Sequence, residues 1–141
     1  MKKNVYEILD EFKLATTEQD RAHVLARNNS QTLQNVFKLT FDPKYEFYIT
    51  EMPETYKTPD TLPGMSFSAL DHEIRRLYMF RKGDTTADKL NEKRRSELFA
   101  RMAETLEPRE AYEVLLGIMN KDLKVEHLNA KLIKKVFPDL L

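Results

Sequence analysis

Apolar side chains recur at three- and four-residue intervals along most of the chain, with charged residues between them. The clearest stripes fall within residues 5–12, 33–40, 70–78, 111–119 and 132–137. This spacing puts the apolar residues on one face of an α-helix, whereas strict alternation would indicate a strand. The pattern therefore predicts an all-α fold, with a single compact domain of seven or eight helices over residues 1–141.

Residues that favour helix starts precede several of these stripes, because a short polar side chain accepts a hydrogen bond from the first turn. They are Thr17, Ser30, either Ser66 or Ser68, and Asn129. Gly83 is expected to end the helix that follows the serines, since glycine tolerates the left-handed backbone of a helix C-terminus. Another helix is predicted from Thr86 to about Leu106, and Pro108 begins the next one.

Two segments interrupt the helical pattern. Residues 45–49 are aromatic and fit either a helical turn or a strand; we favour helix because no partner strand is visible elsewhere. Residues 52–65 contain Pro53, Pro59 and Pro63 among threonines and acidic residues. This composition predicts an irregular surface loop that is too short to separate two domains.

The composition is that of a globular protein. Of the 141 residues, 41% are hydrophobic and 33% are charged, and the formal net charge is zero. A neutral protein is not one whose whole surface binds nucleic acid, so any such role must rest on a local patch. The first residues lack the apolar segment of a signal peptide, and no stretch approaches the roughly 18 apolar residues of a membrane span. We therefore expect a cytoplasmic protein that does not associate with membranes.

The residues of common enzyme centres are missing from the sequence. His23, His72 and His127 are widely separated, and there is no cysteine to complete a transition-metal site. The three glycines form no phosphate-binding series, and no Ser-His-Asp arrangement stands out. We expect no catalytic residues, metal or cofactor, and hence a protein that acts by binding another molecule.

Two segments carry a more specific signal. They are VFKLTFDPKYEFYI at residues 36–49 and LLGIMNKDLKVEHLNAKLIKKVFPDLL at residues 115–141. In order and spacing this pair resembles the N-terminal DNA-binding domain of ATP-dependent DNA ligases of the T-even bacteriophage type. The resemblance implies an all-helical module that contacts the minor groove of nicked duplex DNA, here without the nucleotidyltransferase domain. It also implies a bacteriophage protein acting in the host cytoplasm.

In that family the loop before the last helix presents basic residues and a glycine to the DNA backbone. Lys121 and Lys124 fall on or near the basic positions, whereas Glu126 and His127 stand where the glycine is found. The DNA-binding residues implied by the resemblance and by clustered positive charge are Lys38, Lys44, Lys121, Lys124, His127, Asn129 and Lys131. The junctions at residues 38–44 and 121–124 are similar, which predicts two loops that share one face of the protein.

Other interpretations of these residues stay open. The lysines also fit the solvated face of an amphipathic helix, and the aromatic residues of segment 36–49 fit a core better than a base-stacking platform. A second basic run at residues 89–101 contains acidic residues at helical spacing and is better explained by pairing within one helix. The main alternative to a protein that binds duplex DNA is an adaptor for a protein partner in phage replication or transcription, and a remnant without binding activity is a third.

Overall fold

A computed structural model describes residues 3–59 and 67–141. Its eight α-helices in these residues are α1 (Val5–Leu14), α2 (Glu18–Arg27), α3 (Gln31–Phe41), α4 (Leu70–Ile74), α5 (Thr85–Lys89), α6 (Glu92–Glu104), α7 (Leu116–Asn120) and α8 (Ala130–Val136). A 3-10 segment (Leu77–Phe80) follows α4, and a π-helical segment (Glu110–Leu115) continues into α7. The predicted all-α fold is confirmed.

One continuous apolar core holds the helices together. The helix α1 packs against α2 and the π-helical segment, α3 packs against α7, and α8 packs against α2. Phe12, Phe37, Phe80 and Phe99 are at most 1% exposed. Burial of a phenylalanine side chain contributes about 1.5–3 kcal/mol, so these four rings are major contributors to folding.

Three of the predicted helix caps are confirmed. The side chains of Thr17, Ser30 and Asn129 accept hydrogen bonds from the third residue of α2, α3 and α8, at 3.1, 3.1 and 2.9 Å. Each bond satisfies a backbone N–H that the helix itself leaves without a partner. These caps fix where α2, α3 and α8 begin.

The predicted serine cap of the next helix is wrong for Ser68, and Ser66 lies outside the described residues. Ala69 occupies the N-cap position of α4 and makes no side-chain bond. The hydroxyl of Ser68 instead donates to the carboxylate of Glu73 at 2.9 Å. The helix predicted to reach Gly83 also ends early, because α4 stops at Ile74 and is followed by the 3-10 segment.

The helix predicted from Thr86 to about Leu106 is two helices. α5 begins at Thr85 and ends at Lys89, and Asn91 then caps α6 by accepting a hydrogen bond from the backbone N–H of Arg94 at 2.8 Å. An asparagine favours such a cap over the interior of a helix, because its side chain competes for backbone donors.

The helical interpretation of residues 45–49 is wrong. Phe47 forms an antiparallel bridge with Arg81, flanked by hydrogen bonds from Tyr48 N to Phe80 O and from Lys82 N to Glu46 O, both 2.8 Å. The partner is a single short turn after the 3-10 segment, which has no strand pattern of its own. This bridge joins residues 45–49 to the 81–82 turn.

Residues 52–59, the described part of the predicted proline-rich loop, contain neither helix nor strand, as expected. The ring of Tyr56 packs edge-on against that of Tyr112 with centroids 5.4 Å apart, so this part of the loop lies across the helices. Residues 60–65, with Pro63, lie outside the described part of the chain.

Candidate nucleic-acid interface

The two regions predicted to contact DNA meet at the C-terminal end of α3. Lys121 follows α7 in a left-handed backbone conformation with φ of 61°. Its ammonium donates to the carbonyl oxygens of Leu39 at 2.6 Å and of Asp42 at 2.7 Å. The last carbonyls of a helix have no partner within the helix and lie at the negative end of its dipole, so a cation stabilises them. Lys121 therefore joins the two regions.

The environment of Lys121 is partly closed to solvent. Burial lowers the pKa of its ammonium below the usual range, while the carboxylates of Asp42 and Glu46 act in the opposite direction. With two hydrogen bonds to main-chain carbonyls, this ammonium is engaged by the protein itself. We assign Lys121 a positioning role instead of the direct phosphate contact expected from the sequence.

The two junctions share one hydrogen-bonded turn, although Lys124 has a left-handed backbone (φ 56°) and Lys44 does not. At the end of α3, the Asp42 carboxylate accepts a hydrogen bond from the backbone N–H of Lys44 at 3.1 Å. After α7, the Asp122 carboxylate accepts one from the backbone N–H of Lys124 at 2.8 Å. Such a turn, in which an aspartate binds its own chain two residues later, exposes the following lysine. Lys44 and Lys124 are both exposed at equivalent positions of neighbouring turns.

The turn after α7 is packed closely against that helix. Asp122 N donates to Gly117 O at 2.9 Å. A Cβ atom on Gly117 would lie 2.8 Å from the Leu123 side chain and 3.3 Å from the Asp122 carbonyl oxygen. The absence of a side chain at Gly117 thus lets the turn sit directly on α7.

Cations from three distant parts of the sequence surround the ring of Tyr45. Arg81 lies 4.4 Å, Lys44 5.2 Å and Lys121 5.9 Å from the ring centroid. The face of an aromatic ring is electronegative and attracts cations at such distances. Arg81 comes within reach because its backbone forms the bridge to Phe47.

A second ring extends this arrangement. Lys82 lies 5.8 Å and Arg95 3.7 Å from the centroid of Tyr48, whose hydroxyl donates to Asp88 at 2.5 Å. The guanidinium of Arg95, in α6, also donates to the carbonyl oxygen of Ala87 in α5, so this contact between the two helices holds it in place. We call the set Lys44, Tyr45, Tyr48, Arg81 and Lys82 the Tyr45 surface.

Acidic groups oppose this surface only in part. Within residues 3–59 and 67–141, the ion pair formed by a lysine or arginine of the Tyr45 surface is that of Lys44 with Asp42, at a distance of 4.0 Å. The Lys44 side chain remains 58% exposed, so this pair is weak and screened by water. Arg81 and Lys82 form no ion pair in the same part of the chain.

The other predicted site residues are divided between structural and exposed roles. Lys38 donates to the carbonyl oxygen of Leu140 at 3.2 Å and is half-buried. Asn129 uses its side chain to cap α8. Lys131 is exposed on α8. The structure thus ties Lys38 to the C-terminal segment and leaves Lys131 free to face solvent.

His127 occupies a strained backbone position. Its φ of 69° lies in the left-handed region that glycine adopts most easily. Its imidazole Nε2 lies 3.6 Å from the carboxylate of Glu126, and both side chains are at least half exposed. The adjacent carboxylate of Glu126 would repel a phosphate at this position.

Arg81 and Lys82 belong to the Tyr45 surface but are not among the site residues predicted from the sequence. Both residues lie within the helix that the sequence pattern predicts to end at Gly83. Tyr45, Phe47 and Ile49 alternate with other residues, which is typical of an extended segment, but this pattern does not say which part of the chain pairs with it. An extended segment needs a partner, and the turn after residue 80 provides one.

A comparison with known families matches most of the chain. The pattern that defines a family of unknown function (DUF6433) matches residues 8–125. The chain belongs to this family. The DUF6433 match includes the Tyr45 surface and both aspartate turns, and it ends before His127, Asn129 and Lys131. No curated protein matches the chain.

The described residues of this DUF6433 protein contain neither a cluster of metal-ligating side chains nor a helix that could span a membrane. Across residues 3–59 and 67–141, no three histidine, aspartate or glutamate side chains are grouped as metal ligands would be. Among the helices in those ranges, none combines the length and apolar character needed to cross a bilayer.

Proposed function

We propose that this chain is a non-catalytic, cytoplasmic DNA-binding protein that contacts the backbone of duplex DNA through the Tyr45 surface and the neighbouring turn at Lys124. The observation that carries the proposal is the convergence of Lys44 and Arg81 at the ring of Tyr45, with Lys82 at the neighbouring ring of Tyr48. Cations that share a face are the usual means of binding closely spaced phosphates. The resemblance to the ligase domain supports the minor groove of nicked duplex as the target.

The distribution of ion pairs supports a local patch on a neutral protein. Several cations away from the Tyr45 surface are paired with carboxylates: Lys3 and Arg27 with Glu11, Arg109 with Asp10 and Glu113, and Lys135 with Glu18. In each pair the opposite charges largely cancel, so these cations add little to the positive potential of the surface. The zero net charge is therefore compatible with a positive potential at the Tyr45 surface.

Each residue has a separate role in this proposal. Lys44, Arg81, Lys82 and Lys124 would donate to phosphate oxygens, and Lys121 would hold the two turns side by side. Tyr45 and Tyr48 have cations packed over their rings, so we expect them to orient those cations rather than to stack on bases. Binding would depend on backbone shape and not on base sequence.

The test is fluorescence anisotropy with labelled nicked and intact duplexes, in about 50 mM and about 200 mM salt. We expect saturable binding at the lower salt, weakened strongly at the higher salt because counterions are released on binding. Replacing Lys44 and Lys124 together by glutamine should weaken binding about tenfold. The negative slope of log affinity against log salt should become less steep by about two.

A matched control separates local contacts from net charge. Replacing Lys3 and Lys135 by glutamine removes the same total charge from residues that are paired with Glu11 and Glu18. We expect less than a twofold change in affinity for this control. Equal losses in the two double variants, or no saturable binding at about 50 mM salt, would contradict the proposal.

A protein-interaction adaptor in replication or transcription is the second candidate. Two observations favour it: the Lys121 ammonium is engaged by main-chain carbonyls, and Tyr112 is 49% exposed beside a small cavity of about 160 Å³. Affinity purification from the native cell discriminates between the two. A stoichiometric protein partner that survives nuclease treatment would support the adaptor, and loss of all partners after nuclease would support DNA binding.

A further inference from the structure

A cavity of about 440 Å³ lies at the other end of α3, away from the Tyr45 surface. Its walls come from the first turns of α1, the α2–α3 connection and the start of α4. Val5 and Ile8 supply apolar surface, and Asn28 and Asn29 supply amide groups. Ligand cavities of roughly 300–1,000 Å³ commonly have such an apolar lining with a few polar groups.

A buried carboxylate lines this cavity. Glu110 is only 5% exposed, and its Oε2 atom is itself buried and has no hydrogen-bond partner among the described residues. Glu110 is the first residue of the π-helical segment, a geometry that often occurs at functional sites. An ionised carboxylate without a partner is costly to bury, which makes this position unusual.

The surrounding charges do not offset Glu110. Lys3 and Arg27 line the same cavity, but both pair with Glu11. Glu7 and Glu107 are close enough to act on Glu110 by repulsion. A cation brought in from outside would therefore gain more at Glu110 than at a carboxylate that already has a partner.

We propose that this cavity binds a small organic cation, with an ammonium or guanidinium group donating to Glu110 and the alkyl part of the ligand against Val5 and Ile8. The amide oxygen of Asn28 offers an acceptor for a remaining N–H donor, whereas that of Asn29 already accepts a hydrogen bond from Gln34. This inference does not depend on the proposed DNA binding.

Binding of a cation is coupled to a proton. Burial, followed by repulsion from Glu107 and Glu7, raises the pKa of Glu110 to about 7. The other charged groups that face the cavity are Asp71, Lys3 and Arg27. A bound cation favours the ionised carboxylate, so ligand binding near neutral pH releases protons and affinity rises with pH from 6 to 8.

The experiment is an amide NMR titration of the full chain at pH 8 and constant ionic strength. The probes are n-butylammonium, n-butylguanidinium and the neutral n-butanol. We expect saturable shifts at Val5, Ile8 and residues 28–32 with at least one of the two cations, and none with n-butanol. Equal shifts with n-butanol, or no saturable shift with either cation, would overturn the proposal.

Two variants locate the binding group. Glu110→Gln keeps the shape of the side chain and removes its charge, so we expect affinity for the cation to fall about tenfold or more. Glu113→Gln is the matched control, since Glu113 lies in the same π-helical segment but pairs with Arg109 and does not line this cavity. Unchanged affinity in Glu110→Gln, with the fold intact by NMR, would overturn the assignment of Glu110.

Discussion

The buried charged groups at the two ends of α3 differ in whether their hydrogen bonds are satisfied. At the C-terminal end, the partly buried ammonium of Lys121 donates to the carbonyl oxygens of Leu39 and Asp42. Near the N-terminal end, the buried carboxylate of Glu110 has an oxygen without a partner and lines an open cavity. The helix has 11 residues, so the two ends are roughly 16 Å apart.

This difference distinguishes a buried charged group that stabilises the fold from one that is a candidate for binding a ligand. A buried charge whose hydrogen bonds are complete stabilises the fold and has little left for a ligand. A buried charge with an open position costs stability until something binds there. Lys121 belongs to the first kind and Glu110 to the second, although the sequence pattern indicates Lys121 as a ligand contact and carries no signal at Glu110.

The largest expected effect is on stability at the Glu110 end. Its pKa is raised from 4.5 to about 7, so the folded chain holds this proton more tightly than the unfolded chain. The resulting stability is complete below about pH 4.5 and is lost as pH rises through about 7, a total of about 3 kcal/mol.

Glu110→Gln should remove that dependence. We expect the variant to be up to about 3 kcal/mol more stable than the native chain at pH 8, with a much smaller difference at pH 5. Urea unfolding of both proteins at the two pH values measures it. Other titrating groups are shared and cancel in the difference. Equal unfolding free energies at pH 8 would mean that Glu110 has a partner in solution.

A smaller effect of opposite sign is expected at the Lys121 end. Lys121→Met keeps the alkyl stem but leaves the carbonyls of Leu39 and Asp42 without their donor, so it should destabilise the fold by about 2 kcal/mol. Lys124→Met is the matched control, because Lys124 is also left-handed (φ 56°) but exposed. We expect its unfolding free energy to change by less than about 0.5 kcal/mol.

The DNA-binding assay should reverse this order. Lys124→Met is expected to weaken duplex affinity, whereas Lys121→Met, measured where it is folded, should change affinity less. A larger loss of affinity in Lys121→Met than in Lys124→Met would instead support the direct phosphate contact of Lys121 that the sequence suggests. Thermal unfolding and anisotropy on the same samples distinguish the two results.

The parts of the fold that the sequence predicted well are those determined locally. Thr17, Ser30 and Asn129 cap helices through residues three positions away, so their roles follow from short-range pattern. Asn91 had the same local signal, but the apolar stripe on both sides of it favoured one continuous helix. A capping residue inside a periodic segment can therefore mark the boundary between two helices.

The candidate sites were less predictable because they depend on distant contacts. The bridge between Phe47 and Arg81 decides that residues 45–49 are extended and brings Arg81 to the Tyr45 ring. Nothing within either segment identifies the other. Similarly, a carboxylate in an amphipathic helix ordinarily faces water, and only the packing of α1 and α4 around Glu110 encloses it.

The smallest expected effect tests how far acidic groups weaken the Tyr45 surface. The Asp42 carboxylate lies 4.0 Å from the Lys44 ammonium and also accepts the backbone N–H of Lys44. Asparagine keeps that acceptor and removes the charge. Asp42→Asn should therefore leave the turn intact and raise duplex affinity about two- to fivefold at about 50 mM salt, with less gain at higher salt.

Asp20→Asn is the control for this change, since it removes one negative charge from an exposed position on α2. We expect it to alter affinity by less than about 1.5-fold, because a distant exposed charge is screened. If both variants raise duplex affinity equally, DNA binding depends on the net charge of the protein and the Tyr45 surface has no special role. If only Asp42→Asn does so, the carboxylate beside Lys44 is part of the interface and limits its affinity.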